Sequence, residues 1–148
     1  MGTKQTLQVM ATLAREAAKD KDFLVVARKL GSISAVDSFI RARYAYRDER
    51  EEIVRTPQFM LADMGRIEED GRIVGLEGDC DDVATLYAAF ACALGYHARL
   101  VAIRYNEGNP NFEHVFTEAY DGDWRILDAT MPAGSPMMWI EDMMENVC

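Results

Sequence analysis

Gly78-Asp79-Cys80-Asp81-Asp82-Val83-Ala84-Thr85-Leu86-Tyr87 is the stretch on which the reading of this chain turns. Asp79 is suited to cap a helix, because its short carboxylate accepts from the unpaired N–H groups of a first turn. Cys80, Asp81 and Asp82 then fall in that turn, and Asp82 can reach back to the Asp79 amide as in a capping box. The helix that follows is apolar on nearly every side through Leu86, Phe90 and Leu94 and stops at Gly95. Such a helix has to be wrapped by other elements. A thiol therefore stands at the entrance of the most buried helix of the protein.

Downstream, three strands are expected. His97 to Tyr105 is rich in Val, Ile and Leu, while His114 to Tyr120 and Trp124 to Asp128 flank the turn Asp121-Gly122-Asp123. With Gly122 as the left-handed residue of a three-residue loop, Ala119 pairs with Asp123 and His114 comes opposite Asp128. Opposed residues share a face, with Cβ atoms about 5 Å apart. A two-residue turn would put the two side chains on opposite faces.

Upstream, the chain reads as helical. Leu7, Met10, Leu13, Ala14, Ala17 and Ala18 predict an amphipathic helix over 4–19, and Phe23 to Leu30 predicts another closed by Gly31. Ser34 is placed as the cap of a helix through Val36, Phe39, Ile40, Arg43 and Tyr44, ending in the charged run Arg47 to Glu52, read as solvated. Pro57 opens a short helical segment, Gln58 to Met64, and Gly65 to Leu76 is loop-like. Met137 to Val147 should dock as a short helix or coil, its methionines serving as adaptable packing. With no repeat, low-complexity tract or linker, 1–148 is one domain: a helical lead-in (1–64), a core (75–131) and a Met-rich tail (137–148).

Composition narrows the function classes. The chain carries 16 basic against 25 acidic residues, a net charge of −9, which argues against a nucleic-acid surface. The longest apolar run, Val83 to Tyr96, is short of the roughly 20 residues a membrane span needs. No charged region followed by an apolar core opens the chain, so a cytoplasmic location is expected. The three cysteines, Cys80, Cys92 and Cys148, are odd in number and irregular in spacing, which argues against a disulfide framework and a zinc site. Cys92 is read as core, Cys148 as exposed and His97 as structural.

Cys80, His114 and Asp128 are the candidate catalytic residues. A thiol attacks as its thiolate, so its pKa must fall from about 8.5. A helix N-terminus and an imidazole that accepts the proton both favour that, and Asp128 would hold the ring in one tautomer. The Cys80 amide could supply half of an oxyanion hole. Asp79, Asp81 and Asp82 pull the other way by raising the thiol pKa. Asp79 and Asp81 are alternatively candidate Ca²⁺ ligands, which would reverse the local field. Taken singly, a Cys before a helix is more often inert core, a lone His on a strand a satisfied polar group, and an Asp at a strand end a turn cap. The joint arrangement is what carries the reading.

Gly78 to Asp82, the helix to Leu94-Gly95-Tyr96, Ala98 to Val101, Glu113 to Glu118 and Trp124 to Thr130 together resemble the transglutaminase-like superfamily of papain-type cysteine enzymes. The resemblance runs from about Gly75 to Met131. It implies an α+β, papain/transglutaminase-like fold: a helical N-terminal half and a buried central helix, with Cys at its N-terminus, packed on a small antiparallel sheet. It also implies a Cys80 nucleophile, a His114 base and an Asp128 orienter acting on a protein or peptide amide through an acyl-thioenzyme, by hydrolysis or transfer to an amine. Gln58 is the one amide side chain nominated as second oxyanion donor. The acidic flank is similar to bacterial transglutaminase-like cysteine proteinases, some of which bind calcium beside the cysteine; otherwise no cofactor is required. Stand-alone domains of this kind occur in bacteria and phages, and the alternative reading is a non-catalytic protein-binding or phage/host structural module that keeps the fold.

Overall fold

The structure, a computed structural model, describes residues 2–46, 54–62, 66–67, 73–74, 76–132, 134–135 and 137–148. Three helices open the chain: α1 (Thr3–Ala17), α2 (Lys21–Leu30) and α3 (Ile33–Arg43). Asp20 caps α2 by accepting from the Phe23 amide, and Gly31 closes it at φ 81°, the left-handed value a glycine adopts freely. The cap of α3 is Ser32, which accepts from Ala35, rather than Ser34; Ser34 instead accepts a hydrogen bond from Arg125. Helix α3 ends at Arg43 and passes into β1 (Tyr44–Tyr46). The charged run Arg47–Glu52 lies outside the described residues.

Helix α4 (Pro57–Ala62) matches the short helical expectation. The stretch expected to be loop carries short strands: β2 (Arg66–Ile67) pairs antiparallel with β3 (Ile73–Val74), and β4 (Leu76–Gly78) pairs parallel with β1. Ile67, Ile73 and Val74 favour strand, and their pairing requires a partner that local composition does not reveal.

Helix α5 (Cys80–Ala93) is the centre of the molecule. Residues Asp82 through Ala91 are buried, and Phe90 stacks with Phe23 at 4.6 Å and meets Phe39 edge-on at 6.3 Å, so α2 and α3 close over it. Its other side packs on a four-stranded sheet, β5 (His97–Arg104), β6 (His114–Tyr120), β7 (Trp124–Leu127) and β8 (Glu141–Asn146), in the order β7-β6-β5-β8, every pair antiparallel. Leu100, Ala102, Val115, Ala119 and Leu127 face the α5 core, while Val101, Ile103 and Phe116 face away and are covered by Met137 and Trp139.

Two expectations about the tail and the cysteines are corrected. The tail is a strand, because β5 sits inside the sheet and needs a partner on its second edge; Met143 and Val147 turn toward the core there. That strand brings Cys148 beside the end of α5, where it forms a disulfide with Cys92, leaving Cys80 as the free cysteine. An odd cysteine count does not exclude one such bridge. No helix of the described residues is long and apolar enough to cross a membrane.

Candidate functional site

Cys80 is placed by the cap of α5. Asp79 accepts from the Asp82 amide and Asp82 accepts from the Asp79 amide, both at 3.2 Å, the capping box read from the sequence. Asp82 is fully buried and also accepts from the Arg55 amide at 2.6 Å, with the Arg55 guanidinium 3.6 Å away. Burial foremost, together with the Asp79 charge, pushes the Asp82 carboxyl up to about 6 despite those amide donors. Gly78 is held close to this box: a Cβ there would lie 2.7 Å from Asp82 Oδ2 and 2.8 Å from its Cβ.

His114 and Asp128 come together as expected, by a different register. Tyr120 pairs with Trp124 and Thr117 with Leu127, with Gly122 at φ 78° in the loop. The pairing is shifted by two residues from the expected one, so parity is kept and the two side chains still share a face. They meet on the diagonal, which long side chains span. His114 Nε2 lies 2.6 Å from Asp128 Oδ2. Nδ1 has no hydrogen-bond partner among the described residues and remains the ring atom able to take a proton.

Asp128 is strongly held. Thr130 donates to its Oδ1 through both its amide, at 3.0 Å, and its hydroxyl, at 2.6 Å. Burial works to raise its pKa, but the hydrogen bonds from His114 and Thr130 and the charge of His114 outweigh it and hold the carboxyl below the ordinary value. Its backbone is fixed by Arg41, whose guanidinium donates to the Asp128 carbonyl at 2.8 Å and the Met131 carbonyl at 2.6 Å. Asp37 steadies Arg41 at 2.9 Å and accepts from the buried Tyr87 hydroxyl at 2.6 Å. This positioning network was missed in the sequence; the Asp37/Arg41 spacing of four residues on one helix was its visible signal.

Cys80, Asp81, Glu113, His114 and Val115 line one cleft of about 160 Å³ with Thr3, Thr6 and Met10 of α1. The surroundings of the Cys80 thiol favour its protonated form. Burial foremost, then Asp81, Asp79 and Asp128, push it up to about 12, against a backbone hydrogen bond from Val115 that favours the thiolate. Cys80 Sγ donates to Asp81 Oδ1 at 3.8 Å, and no hydrogen bond joins it to the His114 ring.

The remaining candidates fall elsewhere. Gln58 lines a depression with Asp20, Phe23 and Leu61, apart from the thiol cleft. Asp79 is occupied as a cap, and the described residues contain no cluster of three or more His, Cys, Asp or Glu able to hold a metal. His97, exposed at the start of β5, lies beside Tyr120, Trp124 and Cys148, in a different depression from Cys80 and His114.

The chain matches no curated protein. Among solved structures it is similar to a candidate cysteine protease from Cytophaga hutchinsonii, with a TM-score of 0.55 and 23% identity over 74% of this chain and 37% of that one. This chain thus spans little more than a third of that protein's length, and the likeness speaks to the fold. The sequence match to the transglutaminase-like superfamily covers residues 27–129, so it begins within α2, well before the motifs that first suggested it. With Cys80, His114 and Asp128 all inside that span and α5 packed on an antiparallel sheet, this chain belongs to the transglutaminase-like superfamily.

Proposed function

We propose that the protein carries out thiol-dependent amide chemistry on a protein or peptide through Cys80, His114 and Asp128. The observation that carries this reading is the 2.6 Å contact of His114 with Asp128 beside a cleft that also holds the only free cysteine among the described residues. Asp128, held below its ordinary pKa, fixes the imidazole and leaves Nδ1 to act. The thiol gives its proton to Nδ1 as Sγ attacks the carbonyl carbon. The α5 amide at Cys80 faces the oxygen on which charge develops. The C–N bond then breaks, the amine leaves with the proton from His114, and the acyl group stays on Sγ as a thioester. Water or a second amine, deprotonated by His114, releases it and restores the thiol. Hydrolysis and transfer share every step but the last.

A resting thiol pushed up to about 12 favours the second reading, a module that binds protein and no longer turns over. Acylation separates the two. p-Nitrophenyl acetate should give a burst of p-nitrophenolate and an acetyl group mapped to Cys80, both lost in Cys80→Ser. A protein whose Cys80 accepts iodoacetamide but never an acetyl group would belong to the second reading.

A further inference from the structure

A second groove, about 370 Å³ in volume, also borders His114. It is lined by Ile103, Tyr105, Thr130, Met131, Met137 and Met138, with His114 shared between the two. Its apolar surface is open to water: Tyr105 is 54% exposed, Met131 38% and Met138 86%. Contiguous exposed apolar side chains are costly unless something covers them. Met131, Met137 and Met138 fall beyond residue 129, where the superfamily match ends.

Resting on the thiol reading above, we infer that this groove is the specificity pocket for a long apolar side chain of the peptide substrate. Three arguments identify the occupant. The groove shares His114 with the cleft that holds Cys80, so a chain held against that histidine has the groove within reach. Among the described residues no carboxylate, lysine or arginine lines it, so a charged side chain entering would lose hydration without a partner there. Methionine walls are flexible and polarisable, suited to unbranched or aromatic guests rather than to one fixed shape.

The test uses peptidyl chloromethyl ketones that differ in one side chain (norleucine, phenylalanine, glycine or aspartate), with Cys80 labelling followed by mass spectrometry. Each rate is divided by the iodoacetamide rate of the same protein. The norleucine and phenylalanine probes should outpace glycine by about tenfold or more, with aspartate slowest. Met138→Glu should collapse that preference and Met138→Leu should restore it. Equal normalised rates for all four probes, or no labelling by any of them, would overturn the pocket, as would a preference untouched in Met138→Glu. Failure of the thiol reading has a different signature, an iodoacetamide rate that is the same with and without His114.

Discussion

Replacing Asp81 with asparagine should make Cys80 more reactive. The Asp81 carboxylate accepts from Sγ at 3.8 Å and is, after burial, the largest influence holding the thiol up at about 12. Two unit charges at that separation repel by about 4 kcal/mol at an effective dielectric of 20 and by about 1 kcal/mol in bulk water. Asp81 is half-buried beside an open cleft, so about 1.4 kcal/mol, or roughly one pKa unit, is the expected relief. Far below the pKa, one unit multiplies the thiolate fraction by about ten. The less basic thiolate is also a weaker nucleophile, with a Brønsted slope of about 0.45, which removes a factor of about three. Asp81→Asn should therefore raise the iodoacetamide rate at Cys80 by about threefold between pH 7 and 9, measured by intact mass and peptide mapping. Asp123→Asn, in the exposed hairpin loop, should leave the rate unchanged. A rate that stays the same or falls in Asp81→Asn would show that the carboxylate does not set the thiol's ionisation.

Denatured without reductant, the protein should titrate one thiol, Cys80, with Cys92 and Cys148 bridged; three thiols would refute the bridge. Because the bridged residues are 56 apart in sequence, Cys148→Ala should lower the unfolding free energy by about 4 kcal/mol in the chain-entropy description, read by urea denaturation. Asp82 gives a pH signature: its folded pKa of about 6 lies above its unfolded value of 3.8, so the folded state binds the extra proton between them. The contribution of this group to stability is full below about pH 4, declines as pH rises to about 6, and is flat above. Subtracting the pH–stability curve of Asp82→Asn from that of the parent should isolate this decline, and a difference curve level across that window would contradict it.

Much of the fold was legible because its signals are local. The Asp79 cap, the all-round apolarity of α5 and its stop before Gly95 at φ 86° depend on neighbours a few residues away. The hairpin turn was visible but neither its parity nor its register was fixed, since DGD suits a two- or a three-residue loop and does not say that Tyr120 and Trp124 close it. What was misread depends on distant partners. Residues 141–146 become a strand only because β5 offers an edge, and the Cys92–Cys148 bridge exists only because that strand delivers the terminus to α5. At the site, the three residue types and their order could be read. The upward push on the Cys80 pKa could not, because its largest cause is burial, and burial is a property of the packed molecule. Arg41 and Tyr87 likewise meet only through packing, which joins them through Asp37 behind Asp128.

The central claim is that His114 takes the proton of Cys80, and the rate of Cys80 alkylation in the parent and in His114→Ala tests it most directly. With the disulfide intact no background substitutions are needed, because Cys80 is the free thiol. General-base assistance contributes about a hundredfold or more in enzymes that use it. The account predicts that iodoacetamide labels Cys80 at pH 7.5 at least tenfold faster in the parent, with Asp128→Asn falling between the two. Equal rates in the parent and His114→Ala would contradict it and leave Cys80 as a buried thiol that happens to lie beside a histidine.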